Sequence, residues 1–249
     1  MNKILVGKSK ITTDDSNVLI NNNVITFYGD GDYFLEYIDN CNSHLKFIIS
    51  GNIKLTEVSF DKEINIKNKY IINNGCLKLF KFYNNKKVLE EINIDLCNDG
   101  DQIDYHFANI CRIEERYTIN INHKCKNTKS NVVNRSLAFK NCILDFIINS
   151  NVNKTSVKSV LDQNTRIVTM GECDTSISPN MFIDLDDVEA RHGSVVGSFN
   201  DDQVFYLMSK GINYNDTLKL LIKGYILGGL EIDFETRQRI TDIIETYWR

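Results

Sequence analysis

Short apolar runs recur along most of the chain and limit its possible folds more than any other feature. Between about residues 18 and 196, runs of about four to eight residues rich in Ile, Val, Phe and Tyr end at Asn, Asp, Gly or Lys. The runs begin roughly ten residues apart, and many alternate apolar with polar residues, the period of a half-buried strand. Examples are VITFYG at 24–29, LKFIIS at 45–50, CLKLFKFY at 76–83 and ILDFIINS at 143–150.

Turn signals between the runs favour a parallel β-helix (solenoid) over an antiparallel sandwich. Hairpin turns of the Asn-Gly or Asp-Gly kind are few, mainly at 73–75 and 98–101. Asn is frequent and Pro179 is the only proline, which suits many corners formed by residues that tolerate left-handed backbone. In a β-helix each rung covers the one before it, so only the end rungs are exposed. An antiparallel sandwich stays open as the alternative.

The apolar period changes to that of helices after Phe199. Three helices are predicted, the first capped by Asn200 and ending at Lys210–Gly211. The second runs from about Tyr214 to Ile226, and the third runs from a cap at Asp233 to Tyr247. The sequence therefore predicts a mainly β core over residues 1–199 and a helical segment over 200–249. Since no linker separates the two parts, we expect the helices to dock near the last rung.

Composition excludes several classes of function. The chain has 249 residues, enough for a sizeable core, and a net charge of −4, which argues against nucleic acid and acidic membrane surfaces as partners. The apolar run at the N-terminus is too short for a signal peptide, and no run approaches the roughly 20 residues of a membrane helix. We therefore expect a cytoplasmic protein. Its seven cysteines are scattered without a CxxC motif, so most are predicted to be buried, reduced thiols.

Three residues near the junction are candidate metal ligands. His192 stands alone in DDVEARHGSVVG at 186–197, and strand alternation places it on one face with Val188 and Ala190. A neutral imidazole is a good ligand for iron near pH 7. The alternative for His192 is a structural histidine, hydrogen-bonded at a sheet edge. Glu172 and Cys173 are weaker candidates, and their alternative is a solvated turn.

Residues 115–230 resemble the SufB/SufD family of iron–sulfur cluster assembly. A His-Gly turn and a following FYL helix match the family pattern through Asp187, Val188, His192, Gly193, Val196, Gly197, Phe205, Tyr206, Leu207, Ser209, Gly211, Ile212, Leu220, Leu221, Gly224 and Tyr225. A looser upstream match comprises His123, Thr128, Ser130, Asn131 and Leu137.

The resemblance implies a right-handed parallel β-helix and a non-catalytic scaffold subunit of a SUF-type complex. Such subunits pair through their β-helices, here with a SufB-type or an identical subunit, and a transient iron–sulfur cluster is assembled at that interface. Their C-terminal helices bind the SufC ATPase, and no Walker A pattern is found here, so no nucleotide is expected on this chain. The implied partner-binding residues are Phe205, Tyr206, Leu207, Gly211, Ile212, Leu221, Gly224 and Tyr225.

Departures from the family pattern make the chain closest to SufD. Gly193 stands where SufB has a glutamate ligand, and Ala190 stands where SufD proteins often have a cysteine. The chain also leaves no room for the N-terminal helical domain of longer members, so we expect a short form. Two alternatives stay open: a structural docking subunit with no cluster ligands, and a β-helix protein that acts on carbohydrate.

Overall fold

The computed structural model describes residues 2–8 and 10–247, and most of them lie in strands. The strands are β1 (Asn2–Val6), β2 (Ile11–Thr13), β3 (Val18–Asn21), β4 (Val24–Tyr28), β5 (Gly31–Tyr37), β6 (Cys41–Ser43), β7 (Lys46–Phe60), β8 (Glu63–Asn84), β9 (Lys87–Leu96), β10 (Gln102–Cys111), β11 (Glu114–His123), β12 (Lys129–Phe139), β13 (Ile143–Val152), β14 (Ser159–Met170), β15 (Asp174–Ile183) and β16 (Val188–Gly197). Three helices follow, α1 (Asp201–Ser209), α2 (Tyr214–Leu227) and α3 (Phe234–Thr246).

The strands form a parallel β-solenoid of about seven turns, as predicted. One wall stacks β9, β11, β13 and β15, and the other stacks β10, β12, β14 and β16. The long strand β8 bends round a corner, so that residues 63–72 pair with β9 and residues 76–83 pair with β10. In the described part of the chain, antiparallel pairing is confined to β1–β2 and β3–β4, which rules out the sandwich.

Asparagines stabilise this solenoid in two ways. Asn22, Asn74, Asn127 and Asn141 adopt the left-handed backbone predicted for corners. Others stack outside one wall, where the Asn180 amide donates to Asn149 at 2.9 Å and Asn149 donates to Asn120 at 2.8 Å. Side-chain hydrogen bonds of this kind join stacked positions that are 27, 29 and 31 residues apart in the sequence. The number of residues in one rung therefore increases along the chain. Each rung contains two strands, and strands β9–β16 start 12–16 residues apart, so the predicted interval of roughly ten residues was too short.

The three helices fold back over the outside of the second wall. The predicted caps Asn200 and Asp233 are present, and Asn213 caps α2; each accepts a backbone N–H of the helix that follows. The prediction that they dock near the last rung is wrong, because α2 lies over β10 and β12 and Arg239 of α3 pairs with Glu36 of β5 at 2.7 Å. The helices pack at this position because the outside of the wall is apolar there. That surface is formed by Val58, Phe60, Phe80, Phe82, Ala108, Ile110, Leu137 and Val168.

The interior of the solenoid holds charged and polar side chains as well as apolar ones. Lys81 is 0% exposed and lies between two buried carboxylates, 3.2 Å from Glu57 and 2.5 Å from Glu90. Glu57 also accepts hydrogen bonds from the hydroxyls of Tyr70 and Tyr83. Burial raises the pKa of Glu90, and the ammonium of Lys81 opposes this shift.

A third buried glutamate, Glu115, makes stability depend on pH. It accepts hydrogen bonds from Asn109 and Tyr117, and burial raises its pKa to about 8. Because the unfolded glutamate ionises near pH 4.3, the folded state binds more protons between about pH 4.3 and 8. The free energy of unfolding therefore falls as pH rises through this window and levels off above it.

Glu115→Gln should remove that loss of stability. We expect the wild type to lose about 2 kcal/mol more than the variant between pH 5.5 and 7.5, since one pKa unit corresponds to about 1.4 kcal/mol. Urea unfolding at the two pH values measures the difference. Equal pH dependence in both proteins would show that Glu115 is ionised in the folded state.

Candidate functional site

The last rung of the solenoid is an open end. Strands β15 and β16 are the two ends of the strand order, and among the described residues each is paired on one side only, with β13 and β14. Their outer edges therefore present unpaired backbone N–H and C=O groups. Large apolar side chains are exposed on the same rung, namely Phe182, Ile183, Val195 and Val196. Such an edge is suited to pairing with a strand of another chain.

His192 lies in the middle of β16, directed toward the interior side of this open rung. It pairs in register with Gln163 of β14, whose buried side chain donates to Ser150 at 2.7 Å. In-register neighbours of parallel strands point the same way, so His192 stands over Gln163 with no further rung to cover it. The imidazole is exposed, and no hydrogen bond to it is found within residues 2–8 and 10–247. Glu189 and Arg191, 3.8 Å apart, share the opposite face as expected.

The structure places Glu172 and Cys173 apart from His192. Both precede β15, and Glu172 is exposed at a corner. Cys173 packs against the interior core, and burial and the neighbouring thiol of Cys142 both contribute to raising its pKa. No three His, Cys, Asp or Glu side chains of the described residues are grouped so that they could hold a metal ion. His192 is therefore a single potential donor at the open end.

A row of thiols is a feature that sequence reasoning missed. The thiols of Cys111 and Cys173 on neighbouring rungs both lower the pKa of Cys142, and Cys111 has the larger influence. Cys111 and Cys142 are buried, and Cys173 is half-buried. The three cysteines are equally spaced in the sequence, by one long rung, so this spacing was the available signal.

His123 of the looser upstream motif is a structural residue. Its two ring nitrogens lie 2.7 Å from the Thr128 hydroxyl and 2.9 Å from the Ser130 hydroxyl. Burial lowers the pKa of His123 to about 4, which keeps the ring neutral. The motif residues therefore stabilise a corner between β11 and β12.

Helices α1 and α2 form a second exposed surface, which we call the α1–α2 groove. Phe205 is 75% exposed and Tyr206 is 60% exposed, and α1 has no buried residue. The groove has a volume of about 320 Å³ and is lined by Asp202, Gln203, Tyr206, Leu207 and Leu221. An uncovered aromatic helix of this kind is typical of protein-binding surfaces.

The other predicted partner-binding residues take different positions. Tyr225 turns toward the solenoid and donates to the backbone carbonyl of Arg166 at 2.5 Å. Gly211 ends α1 with a φ of 88°. Gly224 is exposed on α2, and Ile212 is half-buried between the helices. The α1–α2 groove thus brings together Tyr206, Leu207 and Leu221, with Phe205 exposed on the same helix.

Comparison with known proteins agrees with this architecture. Residues 50–225 match the family model described as SUF system FeS cluster assembly, SufBD core domain. The chain belongs to the SufBD core family. Family membership connects it with iron–sulfur cluster assembly.

Curated relatives of this family match parts of the chain. The iron–sulfur cluster assembly protein SufD of Escherichia coli is 35% identical over 78 residues, covering 30% of this chain and 18% of that protein. SufD of Bacillus subtilis is 26% identical over 146 residues, covering 57% of this chain and 33% of that protein. A SufBD family protein of Mycobacterium leprae is 37% identical over 71 residues, covering 27% and 18%. This chain thus spans a third or less of these SufBD relatives.

No helix in the described part of this SufBD family chain has the length and apolar character required to span a membrane.

Proposed function

We propose that the chain is a non-catalytic scaffold subunit of a SUF-type iron–sulfur cluster assembly complex. It pairs with a SufB-type subunit or a second copy of itself, and it binds a SufC-type ABC ATPase that hydrolyses the nucleotide. The single observation that carries the proposal is the SufBD core match over residues 50–225. The iron–sulfur cluster is the cargo of this complex and is bound only transiently.

The open last rung is the proposed surface for the second scaffold subunit. Unpaired edges on β15 and β16 supply backbone hydrogen bonds, and the exposed side chains of Phe182 and Val195 supply apolar area. A partner strand along β16 would cover His192 and bring the partner's ligands near it. His192 is proposed to be the ligand that this chain contributes to the cargo. Cys173 and Glu172 are secondary candidates on the same rung.

A docking subunit with no cluster ligands is the second candidate function. It is favoured by the absence of any metal-binding group of three side chains in residues 2–8 and 10–247. In this version the open rung and the α1–α2 groove keep their roles, and His192 contributes only to packing. The two candidates differ in what a His192 variant does to cluster assembly.

The α1–α2 groove is the proposed ATPase-binding surface, and substitution of its exposed aromatics tests it. Tyr206→Asp should weaken binding of the cognate SufC-type ATPase by about tenfold or more, since buried aromatic anchors contribute most of the energy of many interfaces. Affinity is measured by titrating the purified ATPase against each variant of the full chain.

Phe234→Asp on α3 is the matched control, because Phe234 is 81% exposed and lies outside the groove. This control should bind the ATPase as the wild type does. If Phe234→Asp weakens binding and Tyr206→Asp does not, the ATPase binds elsewhere on the helices.

A further inference from the structure

The corners that precede β13 and β15 stack directly on each other. The backbone N–H of Asn141 donates to the carbonyl of Glu172 at 2.8 Å, and that of Asp174 donates to the carbonyl of Cys142 at 3.0 Å. Strand pairing begins at Ile143 and Asp174, so Cys142 and Cys173 occupy equivalent positions in successive rungs.

The side chains of this pair are directed to the same place. Cys142 belongs to the interior core, and Cys173 packs against that core. Each thiol also shifts the pKa of the other, which is consistent with their equivalent positions in successive rungs. Neighbouring parallel strands lie about 4.8 Å apart, which is within the range of Cα separations that a disulfide bridges.

Access differs along the row of thiols. Cys111 and Cys142 are buried, whereas Cys173 is half-buried and belongs to the open last rung. A small oxidant that approaches from solvent therefore reaches Cys173 first. The thiol available for the second step is Cys142, which lies one rung from Cys173. Cys111 lies on the far side of Cys142 in the row.

We propose that Cys142 and Cys173 are an oxidative modification site, at which hydrogen peroxide converts the two thiols into a reversible disulfide. The peroxide O–O bond breaks as the Cys173 sulfur takes one oxygen, giving a sulfenic acid and one molecule of water. The Cys142 sulfur then attacks the Cys173 sulfur, an S–S bond forms, and a second water leaves. The two thiols lose two electrons and the peroxide gains them, and a low-molecular-weight thiol reverses the reaction.

The disulfide would fasten the last rung to the rung before it. β15 has a strand partner on one side only among the described residues, so its start is held mainly by the ladder with β13. A covalent link at its first corner restricts separation of that strand. The modification thus acts on the rung whose outer edge is open.

Peptide mapping of the full chain tests the proposal. The reduced protein is treated with stoichiometric hydrogen peroxide, alkylated and digested with trypsin. Cleavage after lysine and arginine gives peptides 141–154 and 167–191, and each contains a single cysteine. We expect these two peptides to be linked, at a mass two hydrogens below their sum, and to separate on reduction.

Two variants make the result specific. Cys173→Ser should abolish the linked species, whereas Cys111→Ser should retain it. Circular dichroism of both variants confirms that each is folded before oxidation. Oxidation of Cys173 to sulfinic acid with no linked peptide would overturn the proposal. A link from 141–154 to peptide 88–112, which contains Cys97 and Cys111, as the main product would also overturn it.

Discussion

Lys81→Met should lower the free energy of unfolding by about 3–5 kcal/mol. Lys81 is completely buried between Glu57 and Glu90, and burial alone would lower its pKa, but the two carboxylates outweigh burial and raise it. Removing the ammonium leaves two carboxylates in the core without their counter-charge, and loss of one partner of a buried ion pair typically has this cost. Urea unfolding should show a lower midpoint with an unchanged slope.

Lys78→Met is the matched control for this experiment. Lys78 lies three residues earlier in β8, and its side chain is exposed on the outside of the wall. An exposed substitution of this kind changes stability by about 0.5 kcal/mol or less. Adding Glu57→Gln and Glu90→Gln to Lys81→Met should recover part of the lost stability, since the uncompensated carboxylates are then gone. Equal stability of the Lys81 and Lys78 variants would contradict the buried ion network.

Gly75→Ala should destabilise the protein by about 3 kcal/mol or more. Gly75 pairs with Gly51 at the corner shared by β7 and β8, where the register of the two strands shifts. A Cβ at residue 75 would overlap the backbone nitrogen, carbon and oxygen of Gly51, which cannot rotate away as a side chain would. The N–H of Gly75 also donates to the Asp101 carboxylate at 2.9 Å, which ties this corner to the next rung. Forced overlap in a packed region has a cost of this size.

Thermal unfolding measures the effect of Gly75→Ala, and we expect the Tm to fall by roughly 10 °C. Gly224→Ala is a suitable control, because a Cβ at residue 224 meets nothing within 4 Å. Replacing a glycine inside a helix with alanine typically stabilises by about 1 kcal/mol, so this control should raise the Tm slightly. A Gly75 variant as stable as the wild type would contradict the close approach of the two corners.

The solenoid and its helices were predictable because local patterns determine them. Alternating strands and few hairpin signals indicated parallel rungs, and Asn200 and Asp233 marked helix starts that the structure contains. The docking position of the helices was not predictable in the same way. Phe80 and Phe82 cover the outside of the wall, but in sequence they resemble the interior residues Leu77 and Leu79. Apolar character alone does not tell which face of a strand is covered by a helix.

Buried polar residues were hidden from sequence reasoning by their neighbours. Lys81 lies within LFKFY, where a lysine is usually assigned to the solvent face, and only the partners on other rungs explain its burial. Cys111, Cys142 and Cys173 are each unremarkable alone. They form a row only because successive rungs place equivalent positions above one another, and their equal spacing of 31 residues signals this only once that length is known to be one rung.

Anaerobic reconstitution is the most direct test of the proposed scaffold function. The complex of this chain, its SufB-type partner and the SufC-type ATPase is incubated with iron and sulfide. Wild type should gain iron–sulfur absorbance. His192→Ala should assemble the same complex and lose most of that absorbance, because His192 is exposed on the open rung and no hydrogen bond of the described residues depends on it. A His192→Ala complex that acquires the full absorbance would contradict a ligand role and favour the docking subunit.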